Sequence, residues 1–349
     1  MWKGRPTETK RLGPSALGQS ALILSMISIA WPSSRLNFQT PKQSLIRWIT
    51  PPSIKTQVQI CNTFEMPKVT TPKAVHDWFT KYVAAPHYKK HETLRFNSAD
   101  GVRLHAVRVA GPANCGVTVV LVHGFGHWHR HPKIHEFANK LAESANVVVL
   151  DLRGHGFSGG TSTLGALEWL DVKAAVEQVP ANQKLVLMGA SMGAAAVVLY
   201  AGMAARGDGG RKADAVVAVS GPAWWGGRDA PKGVGRVLEL ARSPLMRRAM
   251  RHLMRVRIDG VRPAGRIDPV TIVGEIAPTP LVIVHDRADW YFGVDQAEAM
   301  HSAAGSTAKL WWRTGGHATD LFSDELRERI VSEVVQPLVA GDHAAADVA

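Results

Sequence analysis

Cysteine is scarce: Cys61 and Cys115 are the only two among 349 residues. Two thiols cannot build a disulfide framework, and neither has the spacing of a metal site, so a reducing compartment is the natural reading. Long apolar stretches are missing as well. The candidate run Ala21–Trp31 falls well short of the ~20 apolar residues a membrane-spanning helix needs. Acids are nearly absent from the first part of the chain, where Glu8 and Glu65 stand alone against eight lysines and arginines. That part supplies half of the formal net charge of +12, and much of the remainder falls between Arg236 and Arg266. The basicity is local, and no basic run is interleaved with stacking aromatics as single-stranded nucleic acid would require. With 46% hydrophobic and 20% charged residues, wholesale disorder is excluded.

Residues 1–65 read as a leader unlike the body, rich in Ser, Thr, Gln, Ile and Pro and poor in alanine. Lys3, Arg5, Lys10 and Arg11 precede the Ala21–Trp31 run, which ends in Ser28-Ile29-Ala30, and this pattern fits a signal peptide. A membrane-surface anchor is a second reading. The preferred third is a segment not folded with the body, with a cytoplasmic protein beginning near Met66-Pro67-Lys68. Residues 66–340 form the expected domain, and 341–349 a flexible tail.

Within the body, a short helix is predicted over Thr71–Val83. Two stretches then alternate polar and apolar residues around Asp100-Gly101, a strong hairpin signal. Beyond the hairpin the period changes. Val117–Val122, Val147–Leu150, Lys184–Met188, Ala215–Val219 and Leu281–Val284 are continuous apolar runs, as strands buried on both faces require. Helix-length segments separate them: Pro132–Ser144, Leu164–Gln178, Met192–Ala205 and Gln296–Ala303. A strand at Lys309–Arg313 and a helix at Ser323–Val339 complete the alternation, which predicts a doubly wound, mainly parallel α/β sheet with helices on both faces.

In open α/β sheets, ligands bind at the carboxyl ends of the strands. There the sequence places His123-Gly124-Phe125-Gly126, the run Asp151–Gly160, Gly189-Ala190-Ser191-Met192-Gly193, His285–Asp289 and Gly315-Gly316-His317. The third of these is G-x-S-x-G between a strand and a helix, the context a nucleophile elbow requires. The chain resembles the α/β-hydrolase family, in particular its serine esterases, monoacylglycerol-type lipases and aminopeptidase-like members. The resemblance covers about Glu92–Val339 and rests on HGFG, DLRGHGFSGG, GASMG, HDRAD and GGH occurring in the family's order.

The resemblance implies a triad of Ser191 as nucleophile, His317 as general base and an acid in the loop after the Leu281 strand. Asp286 and Asp289 are both candidates. Family members commonly carry glycine where Asp286 stands and the acid three residues further on, which favours Asp289 and leaves Asp286 to stabilise the loop. The backbone amides of Phe125 and Met192 would form the oxyanion hole. His123 and Gly124 would shape that loop, while Arg153 and His155 would hold the neighbouring turn. His127, His129, His131 and His135 follow the oxyanion loop closely, and His131 and His135 have the i, i+4 spacing that two zinc ligands could use; lining the pocket or facing solvent is the preferred reading, and no metal or cofactor is called for.

Residues 223–275 interrupt the alternation where family members insert a helical cap. Ser243 and Pro244 read as N-cap and first helical residue. Leu245, Ala249, Leu253 and Val256 read as its apolar stripe, with Arg247, Arg248, Arg251 and Arg255 on another face, preferred as the solvated outer side of a small lid, with an anionic substrate group or a membrane surface as the alternative partner. Trp224, Trp225 and Trp290 are candidates to line an acyl pocket. The functional expectation is a serine hydrolase of carboxylic esters, with amide hydrolysis, thioester hydrolysis or acyl transfer as alternatives on the same triad. The serine at the elbow argues against epoxide hydrolases and dehalogenases, which would want aspartate there. A non-enzymatic scaffold is the different-class rival.

Overall fold

The computed structural model describes residues 84–208, 210–225, 241–259 and 266–340, with residues 80 and 239 in addition. The leader, nearly all of the Thr71–Val83 helix, the middle of the cap and the tail lie outside the described residues.

Eight strands form one sheet: β1 (Glu92–Asn97), β2 (Arg103–Val109), β3 (Val117–Val122), β4 (Asn146–Asp151), β5 (Lys184–Ala190), β6 (Ala215–Val219), β7 (Leu281–Asp286) and β8 (Ala308–Arg313). Their order is β1-β2-β4-β3-β5-β6-β7-β8, with β2 antiparallel to both β1 and β4 and all remaining pairs parallel. The hairpin closes around Asp100-Gly101, where Gly101 adopts φ +82°. The alternation of β2 predicts one solvated face. In the structure Leu104–Val107 are all buried, because β2 is flanked on both sides and His105 turns inward toward Asp151.

The helices are α1 (Pro132–Leu141), α2 (Glu168–Val176), α3 (Met192–Arg206), α4 (Pro244–Ala249), α5 (Val294–Ala304) and α6 (Asp324–Ile330). The central strands are buried throughout but serve two cores. Val120 and Val122 of β3, with Leu185 and Leu187 of β5, pack with α2, α3 and α5. Val117, Val119 and Leu121, with Val186 and Met188, pack with α1 and α6 on the opposite face. A continuous apolar run is therefore two alternating sets of side chains, each satisfied by its own helical layer. The chain moves from β3 outward to β4 and then returns to place β5 on the other side of β3. That reversal opens a crevice at the carboxyl ends of β3 and β5, the place where such sheets bind ligands.

The cap differs from its predicted stripe. Of that stripe Val256 is buried as expected but Leu245 is 66% exposed, and Met246, Met250 and Met254 turn inward to pack with Leu164, Val256 and Ile258. The helix ends at Ala249 and continues as a π-helical turn, Met250–Met254, which shifts the facing set away from a regular 3.6-residue stripe. Ser243 does cap α4, accepting from the Met246 amide. Among the described residues no helix is long and apolar enough to cross a membrane.

Candidate active site

The turn between β5 and α3 is steep. Ser191 sits at φ 54°, ψ −117°, a conformation that costs a non-glycine residue on the order of 1–3 kcal/mol. Sterics explain the flanking glycines. A Cβ on Gly189 would lie 2.2 Å from the Gly193 carbonyl oxygen, and one on Gly193 would lie 2.5 Å from the carbonyl oxygens of Val122 and His123. The helix thus starts in contact with the end of β3, and Ser191 is carried out at the tip of the turn.

His317 follows β8 in the loop built on Gly315 and Gly316. Its Nε2 is 2.9 Å from Ser191 Oγ and its Nδ1 is 2.8 Å from Asp289 Oδ2. The structure thus brings the serine, the histidine and one of the two candidate acids into a single chain of hydrogen bonds. Asp289 Oδ1 accepts from the amides of Tyr291 and Phe292 at 2.8 and 3.1 Å, which fixes the carboxylate's orientation. Burial alone would raise this carboxyl. The hydrogen bond and charge of His317, with the Phe292 amide, outweigh burial and hold it below its ordinary value. An ionised Asp289 requires the proton on His317 Nδ1, so the Nε2 lone pair is left facing Ser191.

Asp286 has a separate task. Its Oδ1 accepts from the Ala288 amide at 2.7 Å, and its Oδ2 from the amides of Gly315 and Gly316 at 2.8 and 2.7 Å. One carboxylate therefore ties the loop bearing Asp289 to the loop bearing His317. The sequence carries weaker signals for three further supports. Ser220, at the end of β6 and at φ 48°, accepts the Ala318 amide through Oγ at 3.0 Å, steadying the residue after His317. Buried His285 donates from Nε2 to the Phe292 carbonyl at 3.0 Å, and burial holds its imidazole pKa below the ordinary value. The ring of Tyr291 lies 4.6 Å from that of His317.

The loop after β3 runs against the elbow: a Cβ on Gly124 would lie 3.0 Å from Ser191 Cβ. His123 holds this loop. Its Nδ1 donates to the Gly124 carbonyl at 2.7 Å while Nε2 accepts the Leu152 amide at 3.1 Å, joining the ends of β3 and β4. Burial pushes its pKa down to about 3, so it remains neutral in this tautomer. His155 accepts the Gly126 amide at 3.3 Å, and its ring meets Phe125 edge-on at 5.3 Å. Among the described residues neither the Phe125 nor the Met192 amide has an internal acceptor, so both are free to donate to a ligand. Arg153 pairs with Asp171 and Asp100, with contacts from 2.7 to 3.0 Å, and fixes the turn after β4.

The predicted pocket tryptophans have different surroundings. Trp225 is buried in the core, where its ring fills the space a side chain on Gly165 would take. Trp224 is half-buried against that core, and Trp290 is 42% exposed with its ring against Tyr291. The four cap arginines also diverge. Arg247 binds the Ala241 and Arg242 carbonyls, and Arg255 lies over the rings of Trp128 and Phe157 at 5.0 and 4.9 Å.

His131 and His135 do not converge on a third ligand. His131 packs against His127 at 3.9 Å between rings, and His135 against Tyr88 at 4.2 Å. A group unforeseen from sequence does converge: His105, His129 and Asp151, whose potential ligand atoms lie within 4.8 Å of one another. Asp151 already accepts the His129 amide and imidazole at 2.7 and 2.9 Å and the Phe157 amide at 3.0 Å. These donors account for a buried carboxylate without a cation.

A mainly parallel sheet of this order, with a serine on a strained strand-to-helix turn and a histidine after the last strand, defines an α/β hydrolase. The sequence model of the alpha/beta hydrolase family matches residues 119–347, more than half of the chain, and the protein belongs to that family. A curated relative, the uncharacterized protein YfhR of Escherichia coli O157:H7, is 26% identical over 266 residues, covering 71% of this chain and 81% of that protein. Among solved structures, the Pyrococcus furiosus esterase Pf2001 superposes with a TM-score of 0.53 at 21% identity, over 72% of this chain and 96% of that one. The esterase EaEST from Exiguobacterium antarcticum gives 0.55 at 18% identity, over 71% and 99%. A putative aryl esterase from Burkholderia cenocepacia gives 0.52 at 21% identity, over 71% and 100%. At these identities the likeness is one of fold.

Proposed function

We propose that this protein is a serine hydrolase that cleaves carboxylic esters through an acyl-enzyme. The observation that carries the reading is the unbroken line of hydrogen bonds from Ser191 Oγ through His317 to Asp289, on a serine held in a strained turn. Ser191 Oγ attacks the ester carbonyl while its proton passes to His317 Nε2. Asp289 stabilises the imidazolium that results. The negative charge that develops on the carbonyl oxygen is taken by the Phe125 and Met192 amides, each worth about 10²–10³ in rate. Collapse of the tetrahedral intermediate breaks the bond to the leaving alkoxide, which receives the proton from Nε2. Water then repeats the sequence on the acyl-enzyme, releasing the acid and restoring Ser191. The half-buried Trp224 and exposed Trp290 are proposed to border the acyl group. Structural neighbours described as esterases are in keeping with this choice of substrate.

Fluorophosphonate labelling of the wild type and of Ser191→Ala tests the nucleophile: only the wild type should be labelled, and equal labelling of both would overturn the assignment. Acyl esters of increasing chain length then test the substrate class. Labelling without turnover of any ester would replace ester hydrolysis by amide or thioester cleavage, or by acyl transfer, on the same residues.

A further inference from the structure

A cavity of about 910 Å³ lies on the β1–β2 side of the sheet, and Ser191, Asp289 and His317 are not among its lining residues. Its volume falls in the range of small-molecule sites. Two walls contribute arginine. From the hairpin come Arg95 and Arg103, which share a sheet face because Arg95 pairs with His105 and Arg103 with Asn97. From the cap come Arg251 and Arg257. Further imidazoles are supplied by His87, His91, His105 and His129, the last two backed by the buried Asp151 carboxylate, and among the described residues no aspartate or glutamate itself lines the cavity.

Several arginines outside the cavity are neutralised by acids: Arg153 by two carboxylates, Arg313 by Glu325 and Arg108 by Glu92. Among the described residues the four cavity arginines have no carboxylate partner. Arg257 is fixed in place by two carbonyls, through Nε to Gly160 at 3.0 Å and through Nη2 to Ser158. Such bonds orient a guanidinium without neutralising it. Desolvation and the charge of Arg251 both hold the Arg257 pKa below its ordinary value, and Arg130 is the leading cause of a lowered pKa at His87. Guanidinium groups that line one cavity with no acid among the described lining residues repel one another, and a dianion between them removes that cost while using guanidinium geometry suited to phosphate.

We propose that this cavity is a binding site for the phosphoryl groups of a small anionic molecule, separate from the hydrolytic centre. The anion joins the hairpin arginines to the cap arginines. Its apolar part lies along Phe96 and Phe157, which line the same cavity. The site also has a path to the oxyanion loop. The cap segment that carries Arg257 bridges to the turn after β4, with the Arg257 amide donating to Gly154 O at 2.7 Å and the Ser162 amide to Arg257 O at 2.8 Å. Three residues earlier, Met254 packs on the same small cluster as Phe125, and its Cε would lie 3.1 Å from a Cβ on Gly126.

Titration calorimetry on the full chain tests the proposal, with inorganic pyrophosphate as probe and chloride at matched ionic strength as control. Pyrophosphate should bind once per chain, with affinity falling as salt rises. The double substitution Arg95→Ala/Arg103→Ala, at exposed positions that leave both cores intact, should weaken binding by about tenfold or more, since each removes a charge-assisted contact. Circular dichroism of the variant checks that it is folded, and Arg251→Ala provides the same test from the cap wall. Absence of binding, or binding that neither variant changes, overturns the site. Phosphatidylglycerol vesicles separate the two sources of a phosphoryl group. Co-sedimentation that pyrophosphate competes away assigns the site to a lipid headgroup, and vesicle binding indifferent to pyrophosphate and to both variants overturns the proposal. None of these readouts depends on the hydrolytic reading.

Discussion

Asp286 offers a sharp test of how the candidate site is held together, because it touches neither Ser191 nor the His317 ring. Replacing it with alanine removes three backbone contacts at once, to Ala288, Gly315 and Gly316. A hydrogen bond to a charged group contributes about 1.5–3 kcal/mol when fully protected from water. Gly315 is exposed and Gly316 half-buried, so water replaces part of what is lost, and a destabilisation of about 2–4 kcal/mol follows for Asp286→Ala. The consequence for rate is separate. The loop carrying His317 would no longer be tied to the loop carrying Asp289, and a misplacement near 1 Å costs about 10²-fold in rate. We expect kcat on a nitrophenyl ester to fall by about 10–100-fold, with KM little changed and fluorophosphonate labelling slowed but retained. Asp286→Asn, which keeps one oxygen for the two glycine amides, should lose less on both measures. Urea unfolding and steady-state kinetics read the two effects. A variant as stable and active as the parent would refute the reasoning. Asp286→Ala as inactive as Ser191→Ala, beside an active Asp289→Asn, would show instead that Asp286 is the acid.

Asp289→Asn should reduce kcat by about 10⁴ with little change in folding, since the amide favours the wrong imidazole tautomer; a loss under about tenfold would contradict the proposed role. Gly193→Ala forces a methyl group to within 2.5 Å of two backbone carbonyl oxygens with no flexible group to yield, so α3 must retreat from β3 and take the Met192 amide with it. Loss of labelling together with about 2–4 kcal/mol of stability is expected, and a fully labelled, stable variant would show that the turn has slack. Stability should also fall with acid. His123 and His127 are held near about 3 by burial, against 6.5 when exposed, so below about pH 6.5 the unfolded chain takes up protons that the folded chain refuses. Their contribution is full above about pH 7 and is lost as pH falls toward 3, by about 2 kcal/mol for each histidine at about pH 5. A urea midpoint equal at the two ends of that range, or a His127→Gln variant with undiminished pH dependence, would contradict the burial argument.

Much of the hydrolase architecture could be read from the amino-acid order because the relevant physics is local. A serine between two glycines, after a strand and before a helix, meets steric demands that five consecutive residues can satisfy. A run such as Val117–Val122 announces burial on both faces wherever it is placed. The strand-end positions of His123, Ser191, Asp289 and His317 follow from the same alternation. Contacts between distant segments were not legible in this way. Asp286 and Asp289 are both carboxylates of one short loop, and which of them meets His317 depends on how the loops after β7 and β8 are spliced together. In the cap Met246, Met250 and Met254 join Val256 on the inward side while Leu245 faces out, a choice made by packing against Leu164 and Ile258. His105, His129 and Asp151 come from three separate strands or loops, and Arg95, Arg103, Arg251 and Arg257 from the hairpin and the cap. Each of those side chains is unremarkable in its own stretch. Only the packing of the cap and hairpin against the sheet lines one cavity with these cations and, among the described residues, no acid, because charge acts through space and not along the chain.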